Sequence, residues 1–169
     1  MKRKLGAVLL VVALALALAV PAAAHTEGDP FTTDLLAGQD IPVGTVSVWN
    51  DGGNLYVKYE TNEDWVITET HVDVAIDSSD IPQTKTGNPK VGHFQFSAYY
   101  DPPVTEDTYQ IALSSLSGDS LCIAAHANVL KIIDGLVEQE ETAWADGDPF
   151  PGKNWATYFT YEIQDGNAG

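Results

Sequence analysis

Basic side chains are scarce in this sequence. The 169 residues include 8 Lys plus Arg against 24 Asp plus Glu, which gives a formal net charge of −16. Lys2, Arg3 and Lys4 open the chain, so 8 − 3 = 5 basic residues remain from His25 onward, all Lys, and that part carries 5 − 24 = −19. Binding to nucleic acid or to an anionic membrane needs basic surface. With no Arg from His25 onward for bidentate clamping of phosphate, the sequence argues against both partners and against phosphoryl transfer.

Cysteine and recognisable catalytic motifs are also lacking. Cys122 is alone, so an intramolecular disulfide is excluded. Its apolar neighbours, Leu121 and Ile123–Ala125, predict a buried thiol that acts as a small hydrophobe rather than as a nucleophile. The chain has no Gly-x-Ser-x-Gly, no His-Glu-x-x-His and no phosphate-cradling glycine loop. We therefore expect a protein that is not an enzyme.

Long apolar runs are missing except at the N-terminus. The basic segment Met1–Lys4 precedes the apolar run Leu5–Val20 and the small residues of Pro21–Ala24. This layout predicts a signal peptide over 1–24 that is cleaved after Ala24. An uncleaved anchor is the alternative, although a span needs about 20 apolar residues. We expect a secreted, extracellular protein whose mature chain, starting at His25, has no membrane span.

Alternating apolar residues predict strands. Val43–Trp49 and Leu55–Glu60 alternate on either side of Asn50–Asn54, a turn composition that predicts a hairpin. Trp65–Ile76 is a long strand candidate, with Val66, Val72, Val74 and Ile76 in phase, and Ile81–Gly92 is predicted to be an ordered loop. Further strands are expected at His93–Ala98, Thr108–Leu113, Ser120–Leu130 and Trp155–Ile163.

This spacing predicts an all-β fold, namely an antiparallel β-sandwich or jelly-roll in a single domain over residues 37–163. Residues 25–36 and 164–169 are predicted to be flexible ends. Leu136–Ala145 is the only helical candidate.

Histidines on two predicted strands suggest a metal site. Glu69, His71 and Asp73 share one face of an extended strand but lie about 6.6 Å apart per two residues, too far to bind one ion without a neighbouring strand. His126, flanked by alanines on another strand, would supply that ligand. A copper or zinc site at His71 and His126 is therefore one hypothesis. The other is that both imidazoles are hydrogen-bonded within or beside the core.

Two further metal hypotheses come from the predicted N-terminus and from acidic loops. An N-terminal His25 offers its amine and imidazole to copper, with His71, His93 or His126 as the second histidine of a brace. Asp77–Asp80 and the pair Asp146 and Asp148 offer oxygen ligands suited to Ca²⁺. The alternatives are a histidine that cleavage happens to expose and simple solvation of the acidic loops.

Four tryptophans are many for a chain of this size. Some are expected to fill the core, and an exposed one would offer a stacking surface. The loops 77–92 and 145–154 are the predicted display sites. Trp144, Asn154 and Trp155 are the predicted ligand-binding residues, because amide and carboxylate neighbours such as Asp146 can bond sugar hydroxyls.

Several motifs together resemble an uncharacterised β-rich module that recurs in exported bacterial and archaeal proteins. They are IPQTKTGNPKVGHF (81–94), CIAAHA (122–127), ETAW (141–144) and FPGKNWATYF (150–159), together with the segments 44–51 and 69–71. The resemblance spans most of residues 37–163. It implies an extracellular β-rich domain, sometimes attached to larger surface proteins, and implies no catalytic residues.

The sequence therefore predicts a secreted acidic binding or structural surface module. Its expected partner is an extracellular carbohydrate or protein, and calcium is its candidate stabilising ion. One alternative is a secreted metalloprotein that binds copper or zinc through histidines. Another is a subunit of an extracellular assembly joined through edge strands.

Overall fold

The computed structural model describes residues 24–165. The predicted signal peptide, apart from Ala24, and residues 166–169 lie outside this part of the chain. Ten strands fill it: β1 (Phe31–Ala37), β2 (Ile41–Asn50), β3 (Asn54–Thr61), β4 (Trp65–Ala75), β5 (Phe96–Val104), β6 (Glu106–Ala112), β7 (Ser120–Ile133), β8 (Leu136–Ala145), β9 (Asp148–Pro149) and β10 (Thr157–Glu162). Three short 3₁₀ turns lie at Ser78–Asp80, Val91–His93 and Leu113–Ser115. Between residues 24 and 165, no helix has the length and apolarity needed to cross a membrane.

All paired strands are antiparallel, which confirms the all-β prediction. The order along the sheet is β5-β4-β7-β8-β1-β2-β3-β6. The long strand β7 pairs with β4 along one edge; along the other it pairs first with β10 and then with β8. The predicted hairpin is confirmed as β2 and β3, with Asn50 opposite Leu55 next to the turn.

The sheet curls until its two ends approach each other in a nearly closed, barrel-like arrangement. The Thr70 hydroxyl on β4 lies 2.6 Å from a carboxylate oxygen of Asp107 and 2.7 Å from the Tyr109 hydroxyl, both on β6. The ring of Phe96 on β5 lies 6.1 Å from that of Tyr109. Side chains rather than backbone pairs therefore join the two ends, and the sheet encloses its core.

Two hydrophobic clusters lie on the two opposite faces of this sheet. The main one fills the inside and has buried members from every strand except the short β9 and the edge strand β5. The edge strand β6 contributes Ile111, and the partly buried Phe96, Tyr100, Val104 and Tyr109 pack at the border. The second, smaller cluster lies on the other face of β7 and β8. Its buried members are Ile81, Phe94, Ala124, Trp144, Phe150 and Ala156.

The loops that cover the second cluster interlock closely. A Cβ at Gly152 would overlap the side chain of Asn88, and Gly87 has a φ of +84° and lies against Pro151 and Gly152. The Asn88 carboxamide oxygen accepts from the backbone N–H groups of Lys153 (2.8 Å) and Asn154 (3.2 Å). The 81–94 and 150–159 motifs therefore meet in space, where they cover this face of the sheet.

Two expectations, one of a helix and one of a flexible segment, differ from the structure. Leu136–Ala145 is not helical but forms β8, because it pairs with β7 along most of its length and with β1 at its end. Residues 25–36 are not a flexible segment throughout, because β1 starts at Phe31 and pairs with both β2 and β8. At the other end, Gln164 is held by the side chain of Asn50.

Candidate functional site

A groove of about 820 Å³ lies on the outer face of β2, β3 and β6. The N-terminal residues 24–27 form one wall, and outward side chains of the three strands form the floor. Its lining residues are Ala24, Thr26, Glu27, Trp49, Asn50, Asp51, Tyr56, Lys58, Glu106 and Thr108. The groove therefore combines an aromatic pair with a polar and charged rim, the composition expected of a small-molecule site.

The aromatic pair follows directly from strand register. Trp49 on β2 is the partner of Tyr56 on β3, and both side chains point away from the core because Val48, Leu55 and Val57 point into it. The two rings stack with their centroids 5.1 Å apart and 9° between their planes. Each ring packs against one face of the other, and both residues line the groove.

The turn before β3 holds Tyr56 in place. One carboxylate oxygen of Asp51 accepts from the backbone N–H groups of Gly53 (2.7 Å) and Asn54 (2.6 Å), and the other accepts from the Tyr56 hydroxyl (2.9 Å). These bonds, first that from Gly53 and then that from Asn54, hold the pKa of Asp51 below its usual value. Asp51 therefore stays ionised and fixes the tyrosine ring.

Lys58 is the one basic residue that lines the described groove, and its charge is already matched. Its Nζ lies 2.9 Å from Glu60 and 3.1 Å from Glu106. These two carboxylates, Glu60 first, raise the pKa of the lysine. By contrast, the side chains of Glu27 and Thr108 make no hydrogen bond to the rest of residues 24–165. They are open to a ligand.

The predicted pair His71 and His126 comes together as expected from two neighbouring strands. The residues are directly opposite on β4 and β7, and their ring centroids lie 5.7 Å apart. His71 Nε2 lies 2.8 Å from a carboxylate oxygen of Glu69, whose other oxygen accepts from the Asn128 side chain. His126 also packs edge-on against Trp144, with centroids 4.8 Å apart.

His126 is the least satisfied polar side chain of this pair. It is 6% exposed, and its buried Nδ1 has no hydrogen-bond partner within the described residues. Burial, and next the neighbouring His71, lowers its pKa to about 3, so the ring is neutral at ordinary pH. Nearby Asp73 is buried, which raises its pKa, and it accepts from the backbone N–H of Gln95.

No metal-binding group emerges from this geometry. Among residues 24–165, no three His, Cys, Asp or Glu side chains converge to hold a metal ion. Asp146 and Asp148 are both exposed, and Asp77 uses one oxygen to accept from the backbone N–H of Ser79. Metal binding at His71 and His126, and calcium at Asp146 and Asp148, therefore stay predictions.

His25 packs against aromatic rings rather than against another histidine in the described part of the chain. Its ring packs on Phe31 and Tyr161, with centroids 6.1 and 5.8 Å away. Its Nδ1 is buried and has no partner within residues 24–165. Among the ring contacts of residues 24–165, none joins His25 to a second histidine, as a copper brace would require.

The predicted loop site is only partly available. Trp144 is 5% exposed and packs against Phe94, Phe150 and His126, so its prediction as a ligand-stacking residue is wrong. The reason is that the covering loops form a second core above it. Trp155 is half-buried at the border of this core, and Asn154 is exposed. A ligand role for these two residues stays a prediction.

The Trp49–Tyr56 pair was missed by sequence reasoning, although the signal was present. In a hairpin whose turn is Asn50–Asn54, Trp49 just before the turn and Tyr56 two residues after it lie directly opposite each other and point to the same face of the sheet. Both are aromatic here, and counting from Asn50 opposite Leu55 places Trp49 opposite Tyr56.

Comparison of the chain with models of protein families, with curated proteins and with solved structures finds no match. The resemblance to a module of exported proteins therefore stays a prediction.

Proposed function

We propose that this chain is a secreted binding module that holds a saccharide in the groove beside Trp49 and Tyr56. One observation carries the proposal: a stacked aromatic pair lines a groove of about 820 Å³ and is bordered by polar groups. Sugar rings pack their C–H faces on aromatic side chains, while their hydroxyls need donors and acceptors close by. Glu27, Thr108 and Glu106 offer such groups along the rim.

The surrounding fold supports a binding role. The groove floor consists of three hydrogen-bonded strands, β2, β3 and the edge strand β6, rather than of loops. Its side chains are therefore preorganised, and little ordering entropy is lost on binding. In this proposal the body is a flattened sandwich or jelly-roll. Core residues contributed by both halves of the curled sheet support that finer description.

The test is titration of the purified protein with a panel of defined oligosaccharides by calorimetry. The panel contains glucose, N-acetylglucosamine, glucosamine and uronic-acid oligomers of equal length. Trp49→Ala should abolish or strongly weaken whatever binding is found, because stacking contributes much of the contact area. Trp155→Ala is the matched control, since that side chain lies at the second cluster, and it should leave the affinity unchanged.

Two results would contradict the proposal. Absence of binding to every oligomer at millimolar concentration would exclude a saccharide ligand. Loss of binding in Trp155→Ala but not in Trp49→Ala would place the ligand at the 145–154 loop instead of the groove.

The metalloprotein alternative rests on a different observation, the unpartnered Nδ1 of buried His126 beside His71. A neutral imidazole is the form that binds copper or zinc. Elemental analysis of the purified protein tests it: stoichiometric copper or zinc that is lost in His126→Phe would support this alternative, and no bound transition metal would exclude it.

A further inference from the structure

Fixed charges line the groove unevenly. Its lining side chains include the carboxylates of Glu27, Asp51 and Glu106 and the ammonium of Lys58, so the formal charge of these side chains is 1 − 3 = −2. Glu60 lies just beyond and pairs with the same lysine. The local charge therefore has the same sign as that of the whole chain, −16.

Lys58 offers little attraction to an anion. Its Nζ is within 3.1 Å of two carboxylates, Glu60 and Glu106. An acidic sugar would have to displace one of these partners and would then face Asp51, which its own hydrogen bonds keep ionised. Repulsion between like charges disfavours that arrangement.

A cationic sugar meets the opposite situation. The carboxylate of Glu27 has no partner among residues 24–165, as described above, and Glu106 shares its lysine with Glu60. The faces of Trp49 and Tyr56 also attract an ammonium group, because the ring quadrupole is negative above the plane. Aromatic surface and carboxylates together form the type of site that recognises an ammonium group.

From this juxtaposition we infer that the groove prefers amine-bearing saccharides, such as glucosamine oligomers, to neutral ones and rejects uronic-acid oligomers. This inference rests on the proposed function and adds the chemical class of the ligand. Exposed ion pairs are typically worth about 0.2–1 kcal/mol. Each groove carboxylate should therefore contribute a factor of about 1.5–5 to the preference for the amine.

The experiment compares glucosamine and N-acetylglucosamine oligomers of equal length by calorimetry at pH 6 in low and high salt. These two ligands share a backbone and differ in the charged amine. We expect the glucosamine oligomer to bind more tightly in low salt and to lose that advantage in high salt, because screening weakens exposed charge pairs. The affinity for the acetylated oligomer should change little.

Variants then locate the effect. Glu27→Gln and Glu106→Gln should each lower the preference for glucosamine by a factor of about 1.5–5, with less change in the affinity for N-acetylglucosamine. Glu138→Gln is the matched control, because it removes the same charge from an exposed position on β8 that does not line the groove. It should leave the preference intact.

The outcomes separate this inference from the proposed function. If neutral oligomers bind and the amine gives no advantage, the preference is wrong and the saccharide site stands. If Glu138→Gln lowers the preference as much as the groove variants do, the effect is the diffuse field of an acidic protein, and the inference is again wrong. If no oligomer binds, both proposals fail.

Discussion

Trp49 and Tyr56 face each other across β2 and β3, with their ring centroids 5.1 Å apart and only 9° between the ring planes. Aromatic pairs of this kind stabilise a protein by about 0.5–1.5 kcal/mol beyond the area they bury. We expect a double-mutant cycle of Trp49→Ala and Tyr56→Ala to give a coupling of that size in the free energy of unfolding, measured by urea denaturation.

The control cycle combines Trp49→Ala with Leu136→Ala. Leu136 is 71% exposed at the β7–β8 turn, and its strand β8 does not pair with β2 or β3. The two effects should therefore add to within about 0.5 kcal/mol. A coupling near zero for Trp49 and Tyr56 themselves would mean that the rings do not stack in solution, and the aromatic wall of the groove would be lost with it.

His126 gives the folded protein a defined pH dependence. Its pKa is about 3 in the folded state, because of burial and next of His71, against an ordinary value of 6.5. Between these values the unfolded chain binds a proton that the folded chain does not. The contribution of His126 to the free energy of unfolding is therefore fully present above pH 6.5. Between pH 6.5 and the folded pKa it falls by about 1.4 kcal/mol for each pH unit that the pH drops.

The measurement is the free energy of unfolding at several pH values from 7 to 4.5, for the wild type and for His126→Phe. Asp73 contributes with the opposite sign, since burial raises the pKa of its carboxyl, but it is present in both proteins and largely cancels in the difference. The wild type should lose stability relative to the variant as the pH falls. A ring-proton NMR titration that shows His126 protonating near pH 6.5 would contradict the prediction.

Asn50 connects the hairpin to the end of the chain. Its side-chain oxygen accepts from the Tyr161 hydroxyl (2.9 Å) and from the backbone N–H of Gln164 (2.8 Å), and its amide group donates to the Gln164 carbonyl. Asn50→Ala would leave the buried hydroxyl of Tyr161 without this partner. We expect a loss of about 1–3 kcal/mol in the free energy of unfolding.

Asn154→Ala is the comparison for that variant, because Asn154 is exposed and no hydrogen bond from its side chain occurs in the described chain. Its stability should stay within about 0.5 kcal/mol of the wild type. Equal losses for the two variants would show that the buried network around Asn50 does not form.

Most of the strands and the hairpin could be predicted from the sequence because alternation and turn chemistry are local signals, whereas β1, β8 and the short β9 were not predicted. The pairing of His71 with His126 was also anticipated, since both lie within strong strand patterns. The prediction that Val66 shares a face with Val72 and Val74 is wrong, however, because only the last two belong to the main core. A bulge at Thr68 shifts the register, so Trp65 and Ile67 face the main core before it and Val72 after it. The local composition gives no signal that Thr68 is an extra, unpaired residue in the strand.

Long-range packing explains the other errors. Leu136–Ala145 has no clear alternation because its first residues extend beyond the core at the β7–β8 turn and only its last three are fully buried. Trp144 was expected to be exposed because it lies just before an acidic loop. Its burial depends on the distant segments around Phe94 and Phe150, which close over it. No local pattern shows which face of a sheet a loop will cover.

The loops over the second cluster should be intolerant of a methyl group at Gly152. A Cβ there would overlap the side chain of Asn88, whose carboxamide oxygen also binds the backbone of Lys153 and Asn154. Gly152→Ala should therefore separate the two loops and cost about 1–3 kcal/mol in the free energy of unfolding, the range for local strain.

Gly92→Ala is the matched control, because open space surrounds the equivalent Cβ and its φ is not positive. If the covering loops are as tightly joined as the structure indicates, Gly152→Ala will also make Trp144 more accessible to acrylamide quenching, whereas Gly92→Ala will not. Equal stability and equal quenching in the two variants would mean that the loops do not interlock and that Trp144 is free to reach solvent.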